Sequence, residues 1–336
     1  FQVRWSNIPG LDKPTQPLKV DYVGMYGQDN WKVWDNFTFN YGLRVDIPFF
    51  GDTGFANAQV DGLNFRDENG ATVKYSTSKL PDPNVLWSPR IGVNWSPLNS
   101  GRVQVRGGSG IFTGRPAYVW ISNQIGNNGV LTGFEEFING TNTRPFHPNP
   151  NRYKPATVTG APASSYELAL TDTSFRFPQI WRTSLAADVR VGLGLVAGVE
   201  FMNSMDVNGV YYINANLAPA NISFTGPDNR PRWTTSNRIN AAVTSAVVLK
   251  NQSVGKTWNL AFTLERPFSN GFYVKGAYSY GESRNTVDPG SIASGSWSGN
   301  PHSNNPNLPG LGYSAASVGH RVFGTASYRK EYFKFG

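Results

Sequence analysis

The 336-residue sequence contains no cysteine and only three histidines. The first absence excludes a disulfide framework and any thiolate metal site. His147, His302 and His320 stand far apart and lack the H-x-x-x-H spacing of a zinc site, so no metal is expected. Long hydrophobic runs are also missing, and the mean hydropathy is −0.38. No stretch approaches the ~18–20 apolar residues of a membrane helix. That excludes a spanning helix but not spanning strands, whose alternating pattern gives a weak hydropathy signal.

Basic runs are absent too, although the net charge is +8. The Lys and Arg residues are scattered singly and match no nucleic-acid reader motif, so nucleic acid is not expected as a partner. Solvated loops and attraction to an anionic surface account for the charge. The opening Phe1-Gln-Val-Arg-Trp has no charged segment followed by an apolar one, so a signal peptide is expected to be absent or already removed. The chain closes at Phe335-Gly336 directly after a strand-like stretch, and both ends are expected to be cuts through a larger protein. Catalytic motifs are lacking as well. The glycines of GRVQVRGGSG (101–110) have no strand-to-helix context for a phosphate. Gly107, Gly108 and Gly110 are read instead as relief of crowding in a strand. Gly295-Ser296-Trp297-Ser298-Gly299 has no helix or acid–His partner order for a nucleophile elbow. Neither an enzyme nor a cofactor is expected.

What is present is alternation. In FTFNYGLRVDI (37–47) the residues Phe37, Phe39, Tyr41, Leu43, Val45 and Ile47 alternate with Thr38, Asn40, Gly42, Arg44 and Asp46. Successive side chains leave a strand on opposite faces, so one face is oily and the other carries charge. Such a strand separates two media. The same pattern recurs in 86–95, where Trp87, Ile91, Val93 and Trp95 alternate with Ser88, Arg90 and Asn94. In 181–191, Trp181, Leu185, Val189 and Val191 alternate with Arg182, Ser184, Asp188 and Arg190. In 257–265, Trp258, Leu260, Phe262 and Leu264 alternate with Asn259, Ala261, Thr263 and Glu265.

Short and long connections also take turns. Asp35-Asn36, Pro97–Gly101, Gly192–Gly194 and Pro267–Gly271 are tight. Segments 48–85, 113–179, 206–256 and 282–317 are long and rich in Gly, Pro, Asn and Ser. Loops of that length are rare in a compact soluble domain. Outer-membrane barrels are the exception, with short periplasmic turns and long external loops. Segment 239–250 is also strand-like, but counting it as a crossing would put the Asn270-Gly271 turn on the wrong side. It is therefore expected to be one arm of a hairpin beyond the membrane, leaving about nine spanning strands. Eleven residues at ~3.3 Å and a ~45° tilt span roughly 25 Å, the height of an outer-membrane apolar band. Aromatic residues gather at the tight turns, as interfacial girdles do.

The stretch YGQDNWKVWDNFTFNYGLRVD (26–46) resembles the barrel signature of TonB-dependent outer-membrane transporters, a Y-x-Q-D-x-W-K hairpin leading into N-Y-G-L-R. LWSPRIGVNWSP (86–97), RVQVRGGSGIFTGRP (102–116) and FSNGFYVKGAYSYGES (268–283) resemble the Oar-like branch. The resemblance implies an all-β fold, an antiparallel transmembrane β-barrel of about 22 strands with long extracellular loops. This chain would be a fragment of it, with 1–19 a loop leading into the first strand and 20–336 the partial barrel. It also implies a plug and a TonB-engaging segment, both absent from this stretch. The implied setting is the bacterial outer membrane, and the implied function is energised uptake or translocation of a bulky solute. The implied partners are lipid, the TonB complex through the plug, a peptide, protein or glycan as solute, and a surface lipoprotein.

Arg44, Asp46, Arg90, Arg106, Arg182, Asp188, Arg190, Glu200 and Lys275 are expected on the lumen face, docking a plug or pairing with one another. Arg115, Tyr118, Trp120, Trp233 and Trp297, in the long loops, are candidates for gripping a ligand. Asp61, Asn64 and Asp67–Gly70 collect oxygen ligands without calcium-loop spacing, and a solvated loop is expected there. The rival reading is a soluble or surface-attached β-rich binding or adhesion module, which would dissolve without detergent.

Overall fold

A computed structural model describes residues 2–98, 100–136, 144–234, 236–300, 302, 304–330 and 332. Asn99, in one expected tight turn, and the terminal Phe335-Gly336 lie outside them. The alternating segments become nine long strands: β1 (Val20–Trp34), β2 (Phe37–Phe50), β3 (Leu86–Trp95), β4 (Val103–Thr113), β5 (Gln179–Arg190), β6 (Val196–Asp206), β7 (Lys256–Ser269), β8 (Phe272–Asn285) and β9 (Gly319–Tyr328). Each pairs antiparallel with its sequence neighbour, β1 through β9. The sheet is open, because among the described residues β1 and β9 do not pair with each other. The β7–β8 turn has Asn270 at φ 51° and Gly271 at φ 83°, the left-handed pair that matches the twist of a two-residue hairpin.

The register sorts the two faces. One cross-strand row runs Trp31, Phe39, Val93, Gly107, Leu185, Phe201, Leu260, Tyr280. The next runs Phe37, Trp95, Val105, Ala187, Val199, Phe262, Tyr278, Val322. These oily rows are not sealed under a second protein layer: Leu185 is 56 % exposed, Phe262 48 % and Val322 82 %. On the opposite face the strand glycines relieve crowding as expected. A Cβ at Gly108 would stand 2.9 Å from the Ile91 carbonyl oxygen, and one at Gly110 2.8 Å from that of Pro89.

The buried core lies outside this wall. It is built by the long connections, from residues such as Phe65, Ile121, Leu168, Phe177, Tyr212, Ile213 and Val247. The connections carry the short helices α1 (Ala58–Gly62), α2 (Val119–Gly126) and α3 (Ala293–Ser298). Val243–Gln252 pairs antiparallel with Gly209–Asn214 and parallel with Tyr166–Thr171. It is therefore one arm of a hairpin off the wall, as the counting of crossings required. Gln2–Ser6, inside the stretch read as a lead-in loop, forms a strand against Thr132–Glu136.

Asparagines clamp this layer. Asn57 Nδ2 donates to the Asn128 carbonyl at 2.9 Å, and Asn216 Nδ2 to that of Val243 at 2.6 Å. Asn307 closes a two-way bond with the Asn214 backbone, accepting at 2.8 Å and donating at 2.9 Å. An amide both donates and accepts, so it satisfies irregular backbone that has no ladder partner.

Candidate functional site

Arg44, Asp46, Arg90, Arg106, Arg182, Arg190 and Lys275 all fall on the face opposite the oily rows. Gln28, Gly42, Arg90, Gly110, Arg182 and Ser204 form one row of it. Arg190, Val196, Glu265 and Lys275 form another. Much of the charge is paired within the wall. Arg44 Nη2 lies 2.7 Å from Asp46, whose side chain is fully buried. Arg106 pairs with Asp188, and Lys275 Nζ is 3.2 Å from Glu265. Arg182 Nε donates to Ser204 Oγ at 3.1 Å. Between Arg90 and Arg182 the side-chain-free Gly92 and Gly108 leave a shallow dent with Asn40 and Ser184 at its edge, about 340 Å³ in volume.

The five loop candidates separate into three places. Arg115 stacks over the Tyr22 ring at 5.0 Å, while Tyr22 and Tyr118 both lie against Phe177, at 6.0 and 6.3 Å. They form a rim where β1 meets the loop layer. Trp120 packs on the core and donates its indole N–H to the Gly290 carbonyl at 2.8 Å, a contact that ties two long connections together. Trp233 and Trp297, 64 residues apart in sequence, line one cleft of about 420 Å³ with Phe224, Arg230, Arg232 and His302. Nothing in the sequence groups these last four, because no local pattern signals contact between separate connections.

A second feature had no sequence signal either. Lys250 Nζ lies 2.6 Å from Glu68 and 3.8 Å from Asp172, joining three of the four long connections. Burial pushes the Glu68 carboxyl up, but hydrogen bonds from Lys250 and backbone outweigh it and hold the group below its usual range. Burial first, and then the nearby Glu68 charge, pushes the Tyr211 hydroxyl well up, so it stays a protonated donor. The neighbouring Asp67 turns a short hairpin, its Oδ1 accepting from the Asn69 and Ala71 amides at 2.9 and 2.8 Å.

The profile of the outer membrane beta barrel domain family matches residues 9–334. No curated protein matches the sequence. Among solved structures, the FrpB iron transporter of Neisseria meningitidis is 13 % identical, with a TM-score of 0.46 over 93 % of this chain and 32 % of that one. The copper transporter OprC is 10 % identical, with a TM-score of 0.44 over 83 % of this chain and 33 % of that one. The siderophore receptor PirA of Pseudomonas aeruginosa is 14 % identical, with a TM-score of 0.40 over 79 % and 34 %. The chain thus spans about a third of the length of these structures.

Proposed function

The chain belongs to the outer membrane beta barrel domain family, and from that membership we propose that it is part of the wall of a TonB-dependent transporter of the Oar-like branch. The transporter would carry a bulky solute inward or outward across the outer membrane, driven by energy that TonB delivers to a plug. The carrying observation is the two-faced sheet. Its oily rows, with Leu185, Phe201 and Phe262 exposed, suit acyl tails, and its arginine-bearing face suits a wet interior. The hairpin motif at 26–46 supports the TonB-dependent assignment by resemblance. An open sheet edge in lipid leaves backbone N–H and C=O groups unpaired, at several kcal/mol each on the order given by apolar transfer. Further strands of the whole protein would therefore complete the barrel beside β1 and β9. In this reading Arg90, Arg182 and Arg190 meet the plug. The loop layer, with Arg115, Tyr118, Trp233 and Trp297, meets the solute and any surface lipoprotein. Trp120 holds that layer together. Transport makes and breaks no covalent bond, so the role is not enzymatic.

The test uses cells carrying the whole protein in a medium of mixed peptides and oligosaccharides. Depletion of a solute that stops when TonB is deleted is the expected result. Depletion that continues without TonB contradicts the energised mechanism. A soluble adhesion module fits the oily rows poorly, because several apolar side chains per strand would face water.

A further inference from the structure

The cleft between Trp233 and Trp297 has a chemistry of its own. Both indole N–H groups are already used: Trp233 Nε1 donates to the Ala218 carbonyl at 3.0 Å, and Trp297 Nε1 to Asn307 Oδ1 at 3.0 Å. These bonds fix the rings and leave their carbon surfaces to the cleft. Phe224 adds a third ring, 44 % exposed. The cations are not equivalent. Arg230 is held through Nε at 2.9 Å and Nη2 at 2.8 Å by Asp228, which neutralises it. Arg232 lies over the Phe224 ring at 5.5 Å, and among the described residues it has no carboxylate partner. Among the described residues, no Asp or Glu lines the cleft. Its volume of about 420 Å³ falls in the ~300–1,000 Å³ range of small-ligand sites.

We propose that this cleft binds a cyclic carboxylate, with the ligand's ring against the indoles and its carboxylate against Arg232. A ring face gives stacking area at fixed geometry, and an unpaired guanidinium gives a charge-assisted bidentate contact. A neutral ring would forgo the second contact, and an acyclic acid the first. An acidic sugar and an aromatic acid share this chemistry, and the test separates them. The inference rests on the transport reading only in treating the ligand as cargo; binding itself is independent of it.

Calorimetric titration of the purified whole protein in detergent would use trigalacturonate, N-acetylphenylalanine and, as a neutral control, maltotriose. At least one carboxylate is expected to bind about tenfold or more tighter than maltotriose, the equivalent of one charge-assisted contact. Which of the two binds identifies the source. Arg232→Gln and Trp233→Ala are each expected to weaken that ligand by about tenfold. Trp297 packs on the core, so Trp233 is the variant chosen; unchanged heat-dependent gel migration confirms that each variant is folded. Absence of binding by both carboxylates overturns the proposal. So does equal binding of maltotriose, or an Arg232→Gln variant with unchanged affinity. None of these results bears on TonB dependence, which the uptake test reads separately.

Discussion

Phe262 and Thr263 are consecutive residues in the middle of β7, and the account gives their substitution by arginine very different outcomes. Phe262 lies in the oily row between Val199 and Tyr278 and is 48 % exposed. Thr263 lies in the polar row between Gly198 and Ala277. It flanks Gly198 together with Asp188, since a Cβ on that glycine would meet Thr263 Oγ1 at 2.5 Å and Asp188 Oδ1 at 2.8 Å. An arginine on the lipid face at mid-height costs about 2–4 kcal/mol. Removing the half-exposed phenyl ring from lipid adds about 1 kcal/mol. Phe262→Arg should therefore lose about 3–5 kcal/mol, roughly two to four orders of magnitude in the folding equilibrium. Thr263→Arg places its charge in water beside a carboxylate and should change stability by less than about 1 kcal/mol. The assay is guanidinium unfolding of the whole protein in lipid vesicles, followed by tryptophan fluorescence and by gel migration. Equal losses at the two positions, or a larger loss at Thr263, would refute the assignment of faces.

Four further outcomes concern the loop layer. Lys250→Met leaves the part-buried Glu68 and Asp172 without their cation and should cost about 3 kcal/mol, the lower end for a broken buried pair; protease sensitivity of the connections reads it. The Glu68 carboxyl is held below its usual range, so its contribution is complete above the ordinary value of 4.5 and declines as pH falls below it. Wild type should therefore gain protease sensitivity in acid, and Lys250→Met should show a weaker pH dependence. Asn216→Ala removes donors to Asn240 and Val243 and should cost about 1–3 kcal/mol by unfolding in the same vesicles. Gly54→Ala would set a Cβ 2.3 Å from the Ser78 carbonyl oxygen, so segment 51–85 should open to protease while the wall keeps its gel migration.

The wall was legible because each of its strands writes its two environments into a period-two pattern that needs no partner to be read. Leu260, Phe262 and Leu264 against Asn259, Thr263 and Glu265 fix both the strand and its faces. The tight turns were legible for a similar local reason, as at Asn270-Gly271. The loop layer was not, because its order comes from contacts between connections far apart in sequence. Composition rich in Asn, Gly and Ser reads as loose loop, yet Asn57, Asn216 and Asn307 act as buried clamps. Trp233 and Trp297 were found singly as candidates, but only folding brings them to one cleft with Arg232. Trp120 carries the same aromatic signal and serves packing instead.

The absence of cysteine from this chain gives the most direct measurement. Nitroxide labels on single cysteines at Leu185 and Ser184, in a cysteine-free whole protein in vesicles, would be relaxed by oxygen, which concentrates in lipid, or by a nickel chelate, which stays in water. The account predicts that oxygen dominates at Leu185 and the chelate at Ser184. A Leu185 label shielded from both, or reached mainly by the chelate, would contradict it.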